Sequence, residues 1–444
     1  MPTVTEVTAQ PASGLNHIDA LLESGPGWNW LAPARNTLLY TFSLVGARAE
    51  DANTLYTGGL TAFNAAQQAA AAQALAKLSA VTGILFQATT DGAAADLHFS
   101  AADLRGTATT GFASTSWNYN FDSRNVVTAY SADAWVYLDN VEFAASNASP
   151  APGNAAFEVL LHELGHALGL KHPFEGAIRL PAADDDTAHT LMSYTPEGGP
   201  HAAYAPYDLA ALRFLYGGDG LGGALGHSSP GRWLMGSERA DTLTGGSSAD
   251  RLEGGGGNDV LSGGAGLDTA LFSRARADYQ VQRGANGSLT VQALAGTDGR
   301  DTLTQVERLA FANQSLAFDL DGAAGTTARY LGAVFGRASV ANAEYAGIGL
   351  AKLDGGMTAA ALMQLALDAR LGAGFTREAL VDTLYANLVG SLPGAADRAF
   401  YVGQLASGQH TPVSLAQMAA NLDLNAQNID LVGLQATGLA YLPG

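Results

Sequence analysis

His162-Glu163-Leu164-Gly165-His166-Ala167-Leu168-Gly169-Leu170-Lys171-His172 is the stretch around which the rest of this 444-residue chain is organised. His162 and His166 lie four residues apart, so on a helix they project from one face and reach a single metal ion. Glu163, the next residue along, is near enough to reach a water bound to that metal and act as its general base. Gly169 can take the left-handed conformation that ends a helix, which turns the chain back and brings in His172. Three neutral imidazoles then hold one zinc ion and leave positions open for water and substrate. A buried amphipathic helix with satisfied core histidines would account for one such residue. It does not account for a glycine and a third histidine at fixed offsets.

With Pro173 directly after His172, the motif resembles that of the metzincin metalloproteases, and within them the serralysin branch. That family carries a tight methionine turn beneath the metal, and Leu191-Met192-Ser193-Tyr194 matches it. The resemblance implies that Met192 packs under the histidines. It also implies that Tyr194 is an outer zinc ligand able to swing and stabilise the oxyanion.

The composition is compatible with this. Apolar residues make up 47% and charged residues 14%, and there are 54 glycines, an excess that points to turns or repeats. A formal net charge of −19 argues against nucleic acid or an anionic membrane as partner. The absence of cysteine excludes disulfides and thiol catalysis. No apolar run reaches membrane-spanning length, and the first ten residues lack the basic start and apolar core of a Sec-type leader.

At this length two or three domains are expected. Residues 1–217 read as a catalytic domain of mixed helix and strand, a twisted sheet backed by helices. Strands are expected at 37–43, 84–89, 96–100, 110–114 and 134–138, and a half-exposed helix at 62–81 stopped by Gly83. The long active-site helix starts after Pro152-Gly153 with Asn154 as its N-cap. Asp184, Asp185 and Asp186 read as a solvated loop, and 207–216 as a helix closed by Gly217. In the resembled family an edge strand lies above the metal cleft and pairs with an extended substrate. Gly111, Phe112 and Ala113 are the candidates for it here.

A repeat announces the next domain, 218–322. Asp241, Asp250, Asp259 and Asp268 fall nine residues apart, and the pairs starting at Gly245, Gly254 and Gly263 keep the same period. Gly254-Gly255-Gly256-Gly257-Asn258-Asp259 and its successor match the calcium-binding nonapeptide of RTX proteins. Asp241, Gly245, Asp250, Gly254, Gly256, Asp259, Gly263 and Asp268 are therefore candidate ligands for several Ca²⁺ ions in a parallel β-roll. Arg239 and Ser248 stand where a second turn glycine is expected. Leu243, Leu252, Leu261 and Ala270 should point inside. Residues 323–444 turn to alanine- and leucine-rich helices at 327–335, 358–367 and 376–388. They resemble a DUF4214-type helical module of unassigned role found on secreted bacterial RTX proteins.

The whole resemblance implies a secreted, extracellular, monomeric zinc endopeptidase acting on protein or peptide substrates, with export by a type I apparatus and a proteinaceous inhibitor as a possible partner. The short stretch before Gly14 and the tail Leu439-Ala440-Tyr441-Leu442-Pro443-Gly444 depart from the propeptide and the acidic-then-apolar export signal of that family. The competing reading is a calcium-dependent surface or adhesion protein on a protease-like scaffold. The complete set of Glu163 and three histidines stands against it.

Overall fold

The computed structural model describes residues 1–25 and 27–443; Gly444, the last residue of the tail quoted above, lies outside them. The chain forms two compact units, Met1–Ser237 with Gly245–Arg251, and Glu238–Thr244 with Leu252–Gly444.

The first unit is built on a six-stranded sheet: β1 (Thr37–Thr41), β2 (Tyr56–Ala62), β3 (Leu85–Ala88), β4 (Leu97–Leu104), β5 (Gly111–Phe121) and β6 (Val127–Asp139). The path runs β3-β1-β4-β6-β5, with β2 also paired to β4. β1, β3, β4 and β6 are mutually parallel, whereas β5 returns antiparallel to β6 and forms the edge. β4 is buried along nearly its whole length, as a central strand covered on both faces must be. The hairpin of β5 and β6 extends well beyond the two short strands expected there, because its outer half is polar and shows no apolar run.

Helices α1 (Ala65–Thr82) and α2 (Ala155–Ala167) pack against this sheet and each other, and α3 (Pro206–Tyr216) packs against α1. In α1 a capping box of Asn64 and Gln67 starts the helix, and Gly83 at φ +73° ends it. The alanines carry much of its burial: Ala70, Ala71 and Ala74 are inside beside Leu75 and Leu78. Gln67 is buried and donates to the Asn147 carbonyl. Asn154 caps α2 by accepting from the Phe157 N–H at 3.0 Å, and Phe157, Leu160, Leu161 and Leu164 form its buried stripe. The carbonyls left open at the C-terminal end of α2 are covered by side chains. Trp28 Nε1 donates to Ala167 at 2.8 Å and the Tyr216 hydroxyl to Leu168 at 2.6 Å.

The aspartates 184–186 are not the solvated loop their charge suggested. Asp184 is buried, Asp185 accepts from the Ser193 hydroxyl at 2.5 Å, and Asp186 holds His189 at 2.9 Å. Hydrogen-bond demand from the methionine turn outweighs solvation there.

In the second unit the short strands of the repeats alternate between two sheets. Thr242–Thr244, Val260–Ser262 and Arg300–Thr304 pair in parallel in one, and Thr269–Leu271 and Arg308–Phe311 in the other. Leu243, Leu252, Leu261 and Ala270 are fully buried, as their place in the period requires. The region 279–311 does not simply continue this coil. Tyr279–Arg283 and Leu289–Ala293 form an antiparallel hairpin before Arg300–Thr304 resumes parallel pairing. Helices follow from Ala323 to Thr437 around Leu362, Met363, Leu380 and Leu384, and Leu439–Tyr441 then pairs antiparallel with Gln314–Ala317.

Candidate metal centre

The three histidines meet as their spacing requires. His162 and His166 lie one turn apart on α2, and Gly169 at φ +96° reverses the chain so that His172 faces them. The Nε2 atoms of His162 and His172 each lie 3.2 Å from Nε2 of His166. Donors bonded to zinc at about 2.0–2.1 Å and tetrahedral angles stand about 3.3 Å apart, so the spacing fits that ion.

The opposite ring nitrogens settle the tautomers. Nδ1 of His162 donates to the Leu191 carbonyl at 2.7 Å, Nδ1 of His166 to the Leu170 carbonyl at 2.8 Å, and Nδ1 of His172 to the Glu175 carboxylate at 3.0 Å. Each Nε2 therefore turns a lone pair toward the other two, an arrangement that repels unless a cation sits among them. Burial holds His162 down to about 4 and His166 to about 3, so both stay neutral, as ligands must, over the ordinary pH range.

Glu163 points from α2 toward the edge strand. A Cβ on Gly111 would stand 2.9 Å from its Oε1, so only glycine leaves the carboxylate room. The backbone N–H of Ala113 donates to it, while burial pushes its pKa up to about 8. Gly111, Glu163, His162, Tyr194 and Thr187 line one cleft. Phe112 does not share it: strand alternation turns its ring to the opposite face, against a cluster with Leu55, Tyr56 and Trp135. Of the three edge-strand candidates, Gly111 and the backbone of Ala113 are at the centre.

Met192 is fully buried beneath α2. A Cβ on Gly165 would lie 2.7 Å from its sulfur, so the glycine between the two helical histidines is what admits the methionine. Tyr194 is 68% exposed, its ring 4.6 Å from that of His172 and 5.9 Å from that of His162.

Two supporting carboxylates, Asp208 and Glu175, were not among the sequence candidates. Asp208 on α3 is buried and accepts from Thr190 Oγ1 at 2.6 Å and from the N–H groups of Leu191 and Ala205 at 2.8 and 3.0 Å, which fixes the turn that orients His162. Burial still pushes it up to about 6. Glu175 was findable as a carboxylate three residues past His172; Asp208, sixteen residues after Met192, was not.

The repeat turns hold a second set of donors. The two perfect units have positive φ at their second and fourth positions, Gly255 and Gly257 in one and Gly264 and Gly266 in the other. Gly246, Arg239 and Ser248 do not, so the earlier turns follow a different path. Asp250, Asp259 and Asp268 are buried, and Asp241 is half-buried. Asp259 accepts from the Asp241 N–H through one oxygen, while its other oxygen is buried without a hydrogen-bond donor. A Cβ on Gly254 would stand 2.3 Å from that oxygen. A buried carboxylate oxygen among glycine backbones suits Ca²⁺, whose ligands are oxygens. Asp301, outside the nine-residue period, completes this turn by accepting from the Asp259 N–H at 3.0 Å.

Fold and site together give a convergent three-histidine centre followed by glycine- and aspartate-rich repeats, and both segments match known families. Residues 57–192 match the matrixin peptidase model, and residues 235–270 match four copies of the RTX calcium-binding nonapeptide repeat. Serralysin G of Dickeya chrysanthemi is 27% identical over 217 residues, 45% of this chain and 43% of that protein. The metallopeptidase AprA of Pseudomonas marginalis is 30% identical over 200 residues, 40% of each chain, and the serralysin of Proteus mirabilis 36% over 89 residues, 16% and 18%. Over these segments the chain is similar to serralysin-type metalloproteases. The matched part spans less than half the length of those relatives.

Proposed function

We propose that this chain is a secreted, calcium-stabilised zinc endopeptidase, with the repeats forming a calcium-binding β-roll. The observation that carries the reading is the convergence of three Nε2 lone pairs at 3.2 Å beside the buried carboxylate of Glu163. His162, His166 and His172 would hold zinc, which when bound acidifies water and polarises the scissile carbonyl. Glu163, braced by Gly111 and Ala113, takes the proton from the attacking water and returns it to the leaving amine. Tyr194, exposed at the rim with its ring tilted against that of His172, donates to the developing oxyanion. The free edge of β5 receives the substrate backbone as an added strand.

The test is cleavage of an unfolded generic protein by the full chain with Zn²⁺ and Ca²⁺, beside Glu163→Gln. Removal of the base should cost about 10²–10⁴-fold in rate with zinc content unchanged. A folded, zinc-loaded wild type that leaves the substrate intact refutes the reading.

A further inference from the structure

Between the two stretches that supply the metal's third ligand and its orienting groups lies a buried ammonium that the reaction does not use. Lys171 is only 6% exposed. Its Nζ donates to the Ala20 carbonyl at 2.5 Å and to the Glu175 carbonyl at 2.9 Å, with the Ile178 and His172 carbonyls at 3.4 and 3.5 Å. An ammonium has three donors and no acceptor, so a ring of backbone carbonyls satisfies it without a paired carboxylate. Those carbonyls belong to two separate segments, and Lys171 is the point at which they meet.

The backbone repeats the connection. The Lys171 N–H donates to the Leu21 carbonyl at 2.8 Å, the Glu23 N–H donates to the Gly169 carbonyl at 2.9 Å, and Leu22 bridges Leu170 in antiparallel fashion. Residues 21–23 are thus a short strand laid against 169–171. On either side of Lys171 stand Leu170, whose carbonyl orients His166, and His172 itself, whose Nδ1 is held by Glu175. The peptide that carries Lys171 therefore sets two of the three imidazoles.

From this the geometry points to Lys171 as a positioning residue for the metal centre, one that clamps the segment 20–23 and the loop 172–178 around the third ligand and so couples metal retention to the N-terminal segment. The inference rests on the zinc reading above. Charge-assisted hydrogen bonds inside a dry site are strong, and partners outside the ligand set typically change metal affinity 10–100-fold.

The experiment uses the full chain and Lys171→Met, which keeps most of the apolar stem and removes the donors. Zinc dissociation constants are measured by competition with a chromogenic chelator, and the visible spectrum of the Co²⁺-loaded protein is recorded alongside melting of the metal-free form. The expected result is a 10–100-fold rise in the zinc dissociation constant with an altered Co²⁺ spectrum. A merely structural lysine would lower the melting temperature and leave both metal readouts alone, and a dissociation constant within twofold of wild type overturns the proposal.

Should the variant not fold, amide exchange in the unmodified chain decides the matter. Zinc removal should deprotect the Glu23 and Lys171 amides together with those of the loop 172–178, and unchanged protection of Glu23 overturns the coupling. A wild type that binds no zinc removes the zinc reading and this proposal together, whereas tight wild-type binding with an unaffected variant removes only the proposal.

Discussion

Gly165→Ala is the substitution on which local and tertiary physics disagree most sharply. In an exposed helix interior, replacing glycine by alanine stabilises by about 1 kcal/mol, because alanine loses less backbone entropy on folding. At Gly165 the added Cβ would stand 2.7 Å from the Met192 sulfur and 3.5 Å from both Leu170 Cδ1 and Met192 Cε. Met192 is fully buried and has nowhere to retreat. Overpacking of this kind costs about 1–3 kcal/mol, so the net effect should be a loss of about 0–2 kcal/mol. The function should suffer more than the stability. Pushing Met192 aside moves Leu191, whose carbonyl orients His162. Gly403, exposed on the helix Ala395–Ala406 with nothing within 4 Å of its virtual Cβ, is the matched control and should gain about 1 kcal/mol as alanine. Urea unfolding with a zinc competition titration on both variants gives the answer. A Gly165→Ala chain as stabilised as Gly403→Ala, with wild-type zinc affinity, would refute the reasoning.

Three further outcomes are expected. Asp208 has a folded pKa of about 6 against an ordinary 3.8, so its contribution to stability is fully present below about pH 4 and is lost as pH rises through about 6. Asp208→Asn removes that slope and, with its one oxygen kept for the Leu191 and Ala205 N–H groups, leaves the Thr190 hydroxyl short of an acceptor, at a cost of about 1–3 kcal/mol. Denaturant midpoints should show the wild-type advantage shrinking between pH 5 and 7.5, and an advantage constant across that range would contradict the assignment. Asp301→Asn keeps an acceptor for the Asp259 N–H but loses a charge, so the calcium concentration needed to fold the second unit should rise about tenfold, read by circular dichroism during a Ca²⁺ titration; an unshifted midpoint counts against Asp301 as a contributor. Tyr194→Phe should lower kcat by up to about 10²-fold while KM and zinc content stay put, and an unchanged kcat would remove Tyr194 from the chemistry.

The metal centre was legible because its residues are close in sequence and their spacing is the spacing of a helix and one glycine reversal. His162, Glu163, His166, Gly169 and His172 all lie within eleven residues, and periodicity alone brings them together. The same holds for the repeat interior, where a strict period of nine puts Leu243, Leu252 and Leu261 on one line. Asp208 and Asp301 illustrate the opposite case. Each is an isolated acidic residue whose partner is a backbone N–H far away in the chain, 17 residues for Leu191 and 42 for Asp259. Backbone groups carry no residue identity, so no pattern of letters records them. Phe112 shows that locating a strand leaves the face of each side chain to the register, which here turns its ring away from the cleft lined by Gly111. The aspartates 184–186 show that a run of charges reports solvation only when no buried turn nearby demands acceptors.

The pairing of Leu439–Tyr441 with Gln314–Ala317 makes the helices between them a closed excursion from one sheet. The Leu442 N–H also donates to the Ala343 carbonyl at 2.9 Å, so the returning tail is fastened twice. A covalent break anywhere in that excursion would leave two fragments still held at both ends, one by strand pairing and the other by its own roots. Such a nicked molecule would run as two bands under denaturing conditions and as one particle of undiminished mass without them.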